Sequence, residues 1–237
     1  MKMSIIVIKI KLIHFFPANV LNKIENNFLK PDMVMDPIKT KKSAFVKIIE
    51  QPASKGLRFR YECEGRSAGS IPGVGSTQDN KTFPTIQVVG YTGKAVVVVS
   101  CVTNDAPHKP HPHNLVGKEG CKRGVCTIHM NDDMTASFPN LGIQCVKKKD
   151  IDESLTQRQQ IRVDPFQSRL SICMSKFFSN LQYFLFTAGF AHKTSPQNID
   201  LNCVRLAFQV FLEGNEKGAF TFALKPVVSD QIYDRSK

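Results

Sequence analysis

Residues 85–103, TIQVVGYTGKAVVVVSCVT, decide the fold class of this chain. Both Thr85–Tyr91 and Lys94–Thr103 are rich in valine, and β-branched side chains favour strands. The residues Tyr91-Thr92-Gly93-Lys94 stand between the two runs and predict a hairpin turn. The stretch therefore predicts a β-hairpin near the middle of the chain.

The same strand pattern recurs on both sides of this stretch. The further runs are Ala44–Glu50, Leu57–Tyr61, Val125–Met130, Leu141–Val146, Val204–Leu212 and Phe220–Leu224. Glycine and proline separate them, as at Pro72–Gly75, Pro107–Pro112 and Gly117–Gly124. Many short strands with turn signals between them predict an all-β sandwich or barrel.

Three segments depart from this pattern. A helix is predicted over Ser154–Ile161, capped by Asp150 or Asp152 and stopped by Asp164-Pro165. Residues 1–42 show weak periodicity and end in a basic tract, which predicts a poorly ordered tail. Residues 168–187 are rich in Phe and Ser, and they fit either a buried helix or a small exposed apolar surface.

The composition limits the classes of function. Hydrophobic residues make up 42% of the 237 residues, which excludes a wholly disordered or collagen-like chain. Lys and Arg number 32 against 20 Asp and Glu, so the net charge is +12. Such a cation favours a polyanionic partner, either nucleic acid or an anionic membrane surface, and an ordinary basic globular protein is the alternative. The apolar run Ile5–Phe16 is too short and too charged to span a membrane.

The cysteines indicate a reducing compartment. There are seven, an odd number, and they are scattered over the chain. A secreted disulfide scaffold is shorter, denser in cysteine and even-numbered. We therefore expect reduced thiols in the cytosol or nucleus.

The richest local chemistry lies in residues 58–73, RFRYECEGRSAGSIPG. A strand-like start places Arg58 and Arg60 on one face and Phe59 and Tyr61 on the other. Guanidinium groups match the O6/N7 edge of guanine, and a carboxylate accepts a hydrogen bond from cytosine N4. The segment therefore fits a DNA-reading loop, and a solvated β-edge with alternating charge is the alternative.

Other side chains suit the DNA backbone. Tyr61 can pack on a thymine methyl or a sugar, and Arg66 and Ser67 suit phosphate. The run Lys147–Lys149 follows the apolar strand Leu141–Val146 and suits phosphate as well. Runs of charged residues often lie on a solvated surface and bind nothing. A phosphate-binding role for the lysines is therefore better supported if they lie beside residues 58–73, the arginine loop.

Residues 58–73 resemble the signature DNA-recognition loop of the Rel/NF-κB family. The flanking segments agree over residues 45–52, 91–93, 96–101, 111–117, 141–148 and 200–210. Within the family, the sequence is most similar to the insect Dorsal/Dif branch. The resemblance covers roughly residues 43–167 and 188–237.

The resemblance implies the N-terminal half of a Rel homology region, an immunoglobulin-like (p53-like) β-sandwich that binds κB-type DNA through long loops. It places Arg58, Arg60 and Glu64 on base-reading positions and Tyr61 against bases and backbone. The phosphate-contacting positions are Cys63, Arg66 and Ser67 in the same loop, Lys147 and Lys148 in a second loop, and Arg235 in the interdomain linker. Ala68 stands where some members carry a histidine contact.

The resemblance also implies a domain organisation. A tail, 1–42, precedes the DNA-binding domain, 43–230, and 231–237 begin the interdomain linker. Residues 168–187 have no family counterpart and form an atypical insertion, which resembles a translated intron or an alternative exon. The dimerisation domain and the main nuclear localisation signal of the family lie beyond this chain.

Two function classes remain open. The first is a transcription factor of Toll-type innate immune or dorsoventral patterning signalling, which moves between cytoplasm and nucleus. Its implied partners are double-stranded DNA, Rel-family dimer partners and an ankyrin-repeat inhibitor. The second is a truncated Rel regulator or protein-interaction module that binds DNA poorly. Neither class is an enzyme or needs a cofactor.

Rival interpretations of single motifs are weaker. The set His108, His111, His113, Cys121 and Cys126 could bind zinc, but its spacing matches no recognised finger, so we expect no metal. The glycine-rich residues 71–76 lack the Gly-Lys-Ser/Thr ending that ATP binding requires.

The thiol of Cys63 admits three interpretations. Neighbouring arginines favour its thiolate, but a catalytic nucleophile also needs a base and an oxyanion site, and no histidine can be assigned. A redox-sensitive DNA contact is the preferred interpretation, and an inert exposed thiol is the alternative.

Overall fold

The computed structural model describes residues 41, 43–118, 120–161, 163, 165–166, 190, 192 and 198–236. Within them the chain forms thirteen strands. They are β1 Phe45–Glu50, β2 Arg60–Tyr61, β3 Thr85–Val89, β4 Ala95–Val102, β5 Asn114–Val116, β6 Cys121–Lys122, β7 Val125–His129, β8 Thr135–Ser137, β9 Gly142–Cys145, β10 Cys203–Glu213, β11 Phe220–Ala223, β12 Val227–Val228 and β13 Ile232–Tyr233. The all-β prediction is confirmed. Apart from Lys41, the predicted tail and the insertion 168–187 lie outside the described residues.

The strands form three sheets. The largest has the order β11-β10-β4-β7-β6, and β12 and β13 also pair with β10. The other two have the orders β1-β3-β8 and β2-β9-β5. The longest ladder is antiparallel and joins β10 to β4, from Arg205 opposite Val102 to Leu212 opposite Ala95. These two strands are long and apolar because both of their faces are largely covered.

The core lies between the sheets. Val97 and Val99 of β4 pack with Leu206 and Phe208 of β10 and with Ile86 of β3, and all five are fully buried. Alternate residues of each strand point to the same side, so one row from each strand suffices to fill this layer. The sandwich therefore follows from the valine-rich runs that the sequence displays.

The predicted hairpin at residues 91–94 is wrong. β3 pairs with β1 and β8, whereas β4 pairs with β10 and β7, so the connection passes from one sheet to another. Gly90 and Gly93 both have positive φ, 80° and 147°, which lets the chain change direction there. Local turn signals identify the bend but do not determine which strands pair.

The α-helix α1 spans Ile151–Gln160, and Asp150 occupies its N-cap position, one of the two predicted caps. Its buried residues are Ile151, Ser154, Leu155 and Arg158, at the i, i+3, i+4 and i+7 spacing of an inward face. Short 3₁₀ turns cover Glu62–Glu64 and Lys148–Asp150. In the part of the chain described, no helix is long and apolar enough to cross a membrane.

Arg158 joins helix α1 to the hairpin that strands β6 and β7 form. Its buried guanidinium donates to the carbonyls of Arg123 and His113 and to the side-chain oxygen of Asn114. Burial lowers the pKa of Arg158 to about 10. The turn residues Arg123 and Gly124 have φ values of 50° and 75°, and a Cβ on Gly124 would collide with the guanidinium. Helix and hairpin thus fit together only with glycine at the turn.

The expectation of reduced thiols is wrong for one pair. Cys121 and Cys126 form a disulfide, because they are opposite each other on the paired strands β6 and β7. Four other cysteines in the described residues are free, namely Cys63, Cys101, Cys145 and Cys203. An odd number of cysteines therefore does not exclude one disulfide.

Candidate nucleic-acid interface

The arginine loop begins as an anchored extended segment. Phe59 is buried, with 2% of its surface exposed, and Leu57 is buried beside it. Arg58 and Arg60 alternate with these two residues and therefore point away from the core. The predicted shared face of the two arginines is confirmed.

Phe59 and Tyr61, which the alternation places on one face, differ in burial. Tyr61 is still extended, but it is 41% exposed because it ends strand β2 and the chain enters the Glu62–Glu64 turn directly after it. Gly65 ends this turn with a φ of 61°, in the left-handed region that favours glycine. The bend therefore presents the Tyr61 ring to solvent beside the arginines.

Glu64 links the two arginines. Its Oε2 accepts a hydrogen bond from Nη1 of Arg60 at 3.0 Å and lies 3.8 Å from Nη2 of Arg58. Its Oε1 accepts the backbone N–H of Tyr61 at 3.1 Å. The hydrogen bond from Tyr61 contributes most, and together with the hydrogen bond from Arg60 and the charges of both arginines it outweighs desolvation and lowers the pKa of Glu64. A guanidinium has five donors, so this contact fixes its direction and leaves donors for a ligand.

The lysine run lies beside this loop. Strand β2 is parallel to β9, with Arg60 opposite Gln144 and Tyr61 opposite Cys145. Lys147 lines one cleft of about 420 Å³ with Tyr61, and Lys148 lines another of about 670 Å³ that also touches Tyr61. The sequence alone left open whether the two basic segments adjoin, and the structure brings them together.

The chain returns to the same edge near residue 235. The N–H of Arg235 donates to the carbonyl of Leu57 at 3.0 Å, and that of Tyr233 donates to the carbonyl of Ser54 at 2.7 Å. The Arg235 side chain is exposed. Residues assigned from sequence to the interdomain linker therefore lie along the base of the arginine loop.

The remaining predicted loop residues are exposed on the bend. Cys63, Arg66 and Ser67 all face solvent. The Oγ of Ser67 accepts the N–H of Gly69 at 3.2 Å, which stabilises the turn that follows. All the predicted contact residues thus lie on three adjoining segments, 58–67, 147–148 and 235.

Two buried histidines support these segments from beneath. Nδ1 of His113 accepts the N–H of Val146 at 3.2 Å, and its Nε2 lies 2.9 Å from the carbonyl of Leu201. Its ring meets the edge of Phe59, with centroids 5.9 Å apart. Burial lowers the pKa of His113 to about 4 and that of His111 well below its usual value. Both rings are therefore neutral at pH 7.

The sequence singled out these histidines only as metal candidates. In the described residues no group of three or more His, Cys, Asp or Glu side chains is arranged to hold a metal ion. The sequence signal that could have identified the two histidines is the proline beside each of them. Prolines next to His111 and His113 indicate a rigid loop, but they do not show which groups the two rings contact.

Comparison with known proteins identifies the family. The model of the Rel homology DNA-binding domain matches residues 46–235. Embryonic polarity protein dorsal of Drosophila melanogaster is 60% identical over 196 residues, which cover 82% of this chain and 18% of that protein. The proto-oncogene c-Rel of Homo sapiens is 44% identical over 191 residues, covering 80% and 27%.

A solved structure agrees with these matches. The dorsal homologue Gambif1 bound to DNA superposes with a TM-score of 0.71 at 61% identity, over 81% of this chain and 99% of that one. This chain belongs to the Rel homology DNA-binding domain family, and its fold is the immunoglobulin-like, p53-like β-sandwich of that family. It spans only 18% and 27% of the two curated relatives, dorsal and human c-Rel.

Proposed function

We propose that this chain is the sequence-specific DNA-binding part of a Rel/NF-κB-type transcription factor that recognises κB-type sites. The observation that carries the proposal is the bridge from Glu64 to Arg58 and Arg60 on an exposed bend. Two oriented guanidinium groups suit the O6/N7 edges of guanines, and Glu64 suits cytosine N4. The structural similarity to Gambif1, a dorsal homologue solved bound to DNA, supports the same class of ligand.

The surrounding cations supply the phosphate contacts of the proposal. Lys147, Lys148 and Arg235 flank the arginine bend, and Arg66 and Ser67 follow it along the same loop. Such contacts position a protein on the duplex without reading its sequence. Cys63 and Tyr61 complete the surface, with Tyr61 packing on bases or sugars. DNA binding, rather than catalysis, is the activity that this surface suits.

The cellular role follows from the relatives. We infer a nuclear role, with signal-dependent movement from the cytoplasm, in Toll-type immune or dorsoventral patterning signalling. Rel-family dimer partners and an ankyrin-repeat inhibitor are the protein partners of this proposal. The support is the 60% identity with dorsal and the 44% identity with human c-Rel.

A binding titration tests the proposal. Fluorescence anisotropy compares a G-rich κB duplex with a scrambled duplex for the wild type and Arg58→Ala/Arg60→Ala. We expect the double variant to lose about 10- to 100-fold in affinity for the κB duplex, because a good bidentate contact discriminates by about 1–3 kcal/mol. Lys81→Ala/Lys94→Ala removes the same charge from exposed sites and is the control. Equal losses for both double variants would contradict base reading.

A further inference from the structure

The carboxylate of Asp234 is buried against the arginine loop. Its Oδ1 accepts the backbone N–H of Phe59 at 3.1 Å, across 175 residues of sequence. Only 7% of Asp234 is exposed. Phe59 stands between Arg58 and Arg60, so this hydrogen bond holds the backbone from which both guanidinium groups project.

Neighbouring groups keep Asp234 ionised and in place. Ser236 donates its Oγ to Oδ2 at 2.7 Å and its N–H to Oδ1 at 3.1 Å. The N–H of Asp234 itself donates to the carbonyl of Asn202 at 2.9 Å. Burial acts to raise the pKa of Asp234, but the hydrogen bonds from Ser236 and Phe59 and the charge of Arg58 outweigh it and lower the pKa.

The contact is flanked by backbone hydrogen bonds on both sides. Tyr233 donates to Ser54, and Arg235 donates to Leu57, so residues 233–235 run along the segment that leads into β2 and the bend. A side chain that reads a base must be held to within about 0.5 Å of its productive position. The strip 233–235 therefore supports the edge from which the arginines project, together with the pairing of β2 with β9.

We propose that Asp234 is a positioning residue for base reading, which fixes the Arg58–Arg60 backbone through the N–H of Phe59. The inference rests on the proposed function and extends it to a buried residue outside the proposed set of DNA-contacting side chains. A purely electrostatic role predicts the opposite behaviour. Removing a negative charge near a DNA interface strengthens binding to every duplex, whereas loss of positioning weakens binding to the κB duplex selectively.

The test compares Asp234→Ala with Asp230→Ala. Each variant removes one negative charge, so both change the net charge equally. Asp230 is a suitable control because it is exposed and lies four residues earlier. Dissociation constants are measured at one salt concentration for a κB duplex and a scrambled duplex. We expect the ratio of the two affinities to fall about tenfold in Asp234→Ala, as for the loss of a hydrogen bond to a charged group. Asp230→Ala should leave the ratio unchanged.

A second variant avoids dependence on the fold of Asp234→Ala. Ser236→Ala removes the Oγ donor from an exposed residue without a change of charge. We expect an affinity ratio reduced about threefold, since one of several hydrogen bonds to the carboxylate is lost. If Asp234→Ala lacks a cooperative thermal transition, Ser236→Ala decides the question.

Amide exchange of Phe59 in the free protein gives a readout that needs no DNA. It should accelerate more than about tenfold in Asp234→Ala and less in Ser236→Ala. Unchanged affinity ratios in both variants, or unchanged exchange at Phe59, would overturn the positioning role. A wild type without preference for the κB duplex would instead refute the proposed function, while the exchange data still report on the Asp234 contact.

Discussion

Tyr61 and Cys145 are opposite each other on two parallel strands, β2 and β9. The arginine loop turns directly after Tyr61, and the lysine run begins two residues after Cys145. Two basic segments more than eighty residues apart in sequence therefore emerge at one edge of the sandwich. A single duplex can contact both at once, and substitutions in each segment separate their contributions.

Glu64 is expected to sharpen base discrimination at a cost in general affinity. Glu64→Gln removes a negative charge and the ionic hold on Arg58 and Arg60. Affinity for a scrambled duplex should rise, and the preference for the κB duplex should fall about tenfold, within the usual cost of a lost base contact. Parallel anisotropy titrations with both duplexes measure this, and Glu62→Gln on the same exposed turn is the control. Unaltered preference in Glu64→Gln would count against the orienting role.

Lys147 and Lys148 should contribute affinity without discrimination. Lys147→Ala/Lys148→Ala is expected to make the negative slope of log K against log salt shallower by about 1 to 2, because two phosphate contacts are lost. The affinities for the κB duplex and the scrambled duplex should fall by the same factor. Titrations at several salt concentrations provide the slopes, with Lys81→Ala/Lys94→Ala as the control for charge. A slope equal to that of the control would show that the lysines do not meet phosphate.

His113 should make stability depend on pH. Its pKa is about 4 when folded, while an unfolded histidine titrates near about 6.5, so the unfolded state binds more protons between these values. The stabilisation is therefore complete above about pH 6.5 and decreases by up to about 3 kcal/mol as the pH falls towards 4. Urea unfolding at pH 7, 6 and 5 measures it. His113→Gln should remove the part of this dependence that His113 contributes and leave the part from His111, whose pKa burial also lowers, whereas the exposed His129→Gln should preserve the whole dependence.

The hairpin turn at Gly124 should tolerate no side chain. Gly124→Ala places a Cβ on the Arg158 guanidinium and also keeps a φ of 75°. Gly218 has a similar φ of 81° but open space around it, so Gly218→Ala isolates the backbone cost of about 1 kcal/mol. We expect Gly124→Ala to lose about 3 kcal/mol or more. Chemical denaturation compares them, and equal losses would show that the guanidinium moves aside easily.

Cys63 is the thiol through which oxidants should act on DNA binding. It is exposed, whereas desolvation raises the pKa of Cys145 to about 12 and keeps that thiol unreactive. Cys63→Ser should bind the κB duplex as the wild type does and lose the inhibition that diamide causes. Cys145→Ser should remain sensitive. Inhibition that persists in Cys63→Ser would direct attention to another cysteine.

The sequence predicted those features that depend on neighbouring residues. A valine-rich run identified β4, the run Val204–Leu212 identified β10, and alternation identified the outward face of Arg58 and Arg60. Pairing partners were not predictable in this way, since periodicity reports which side of a strand is buried and not what covers it. For that reason the supposed hairpin between β3 and β4 proved to be a crossing between sheets.

Long-range polar contacts were equally hidden. Nothing local connects Asp234 with the N–H of Phe59, or the ring of His113 with Val146. Both contacts depend on how the sandwich brings distant loops together, and both support the basic surface without belonging to it. Sequence similarity suggested which side chains meet DNA, whereas the geometry reveals what holds them.

The contact between Arg158 and Gly124 has a consequence for descent. The guanidinium occupies the space in which any side chain at residue 124 would begin. The two positions therefore cannot drift independently: a lineage that keeps the arginine must keep the glycine, and one that replaces the arginine gains freedom at the turn. Among related sequences, we expect Arg158 and Gly124 to be retained or replaced together.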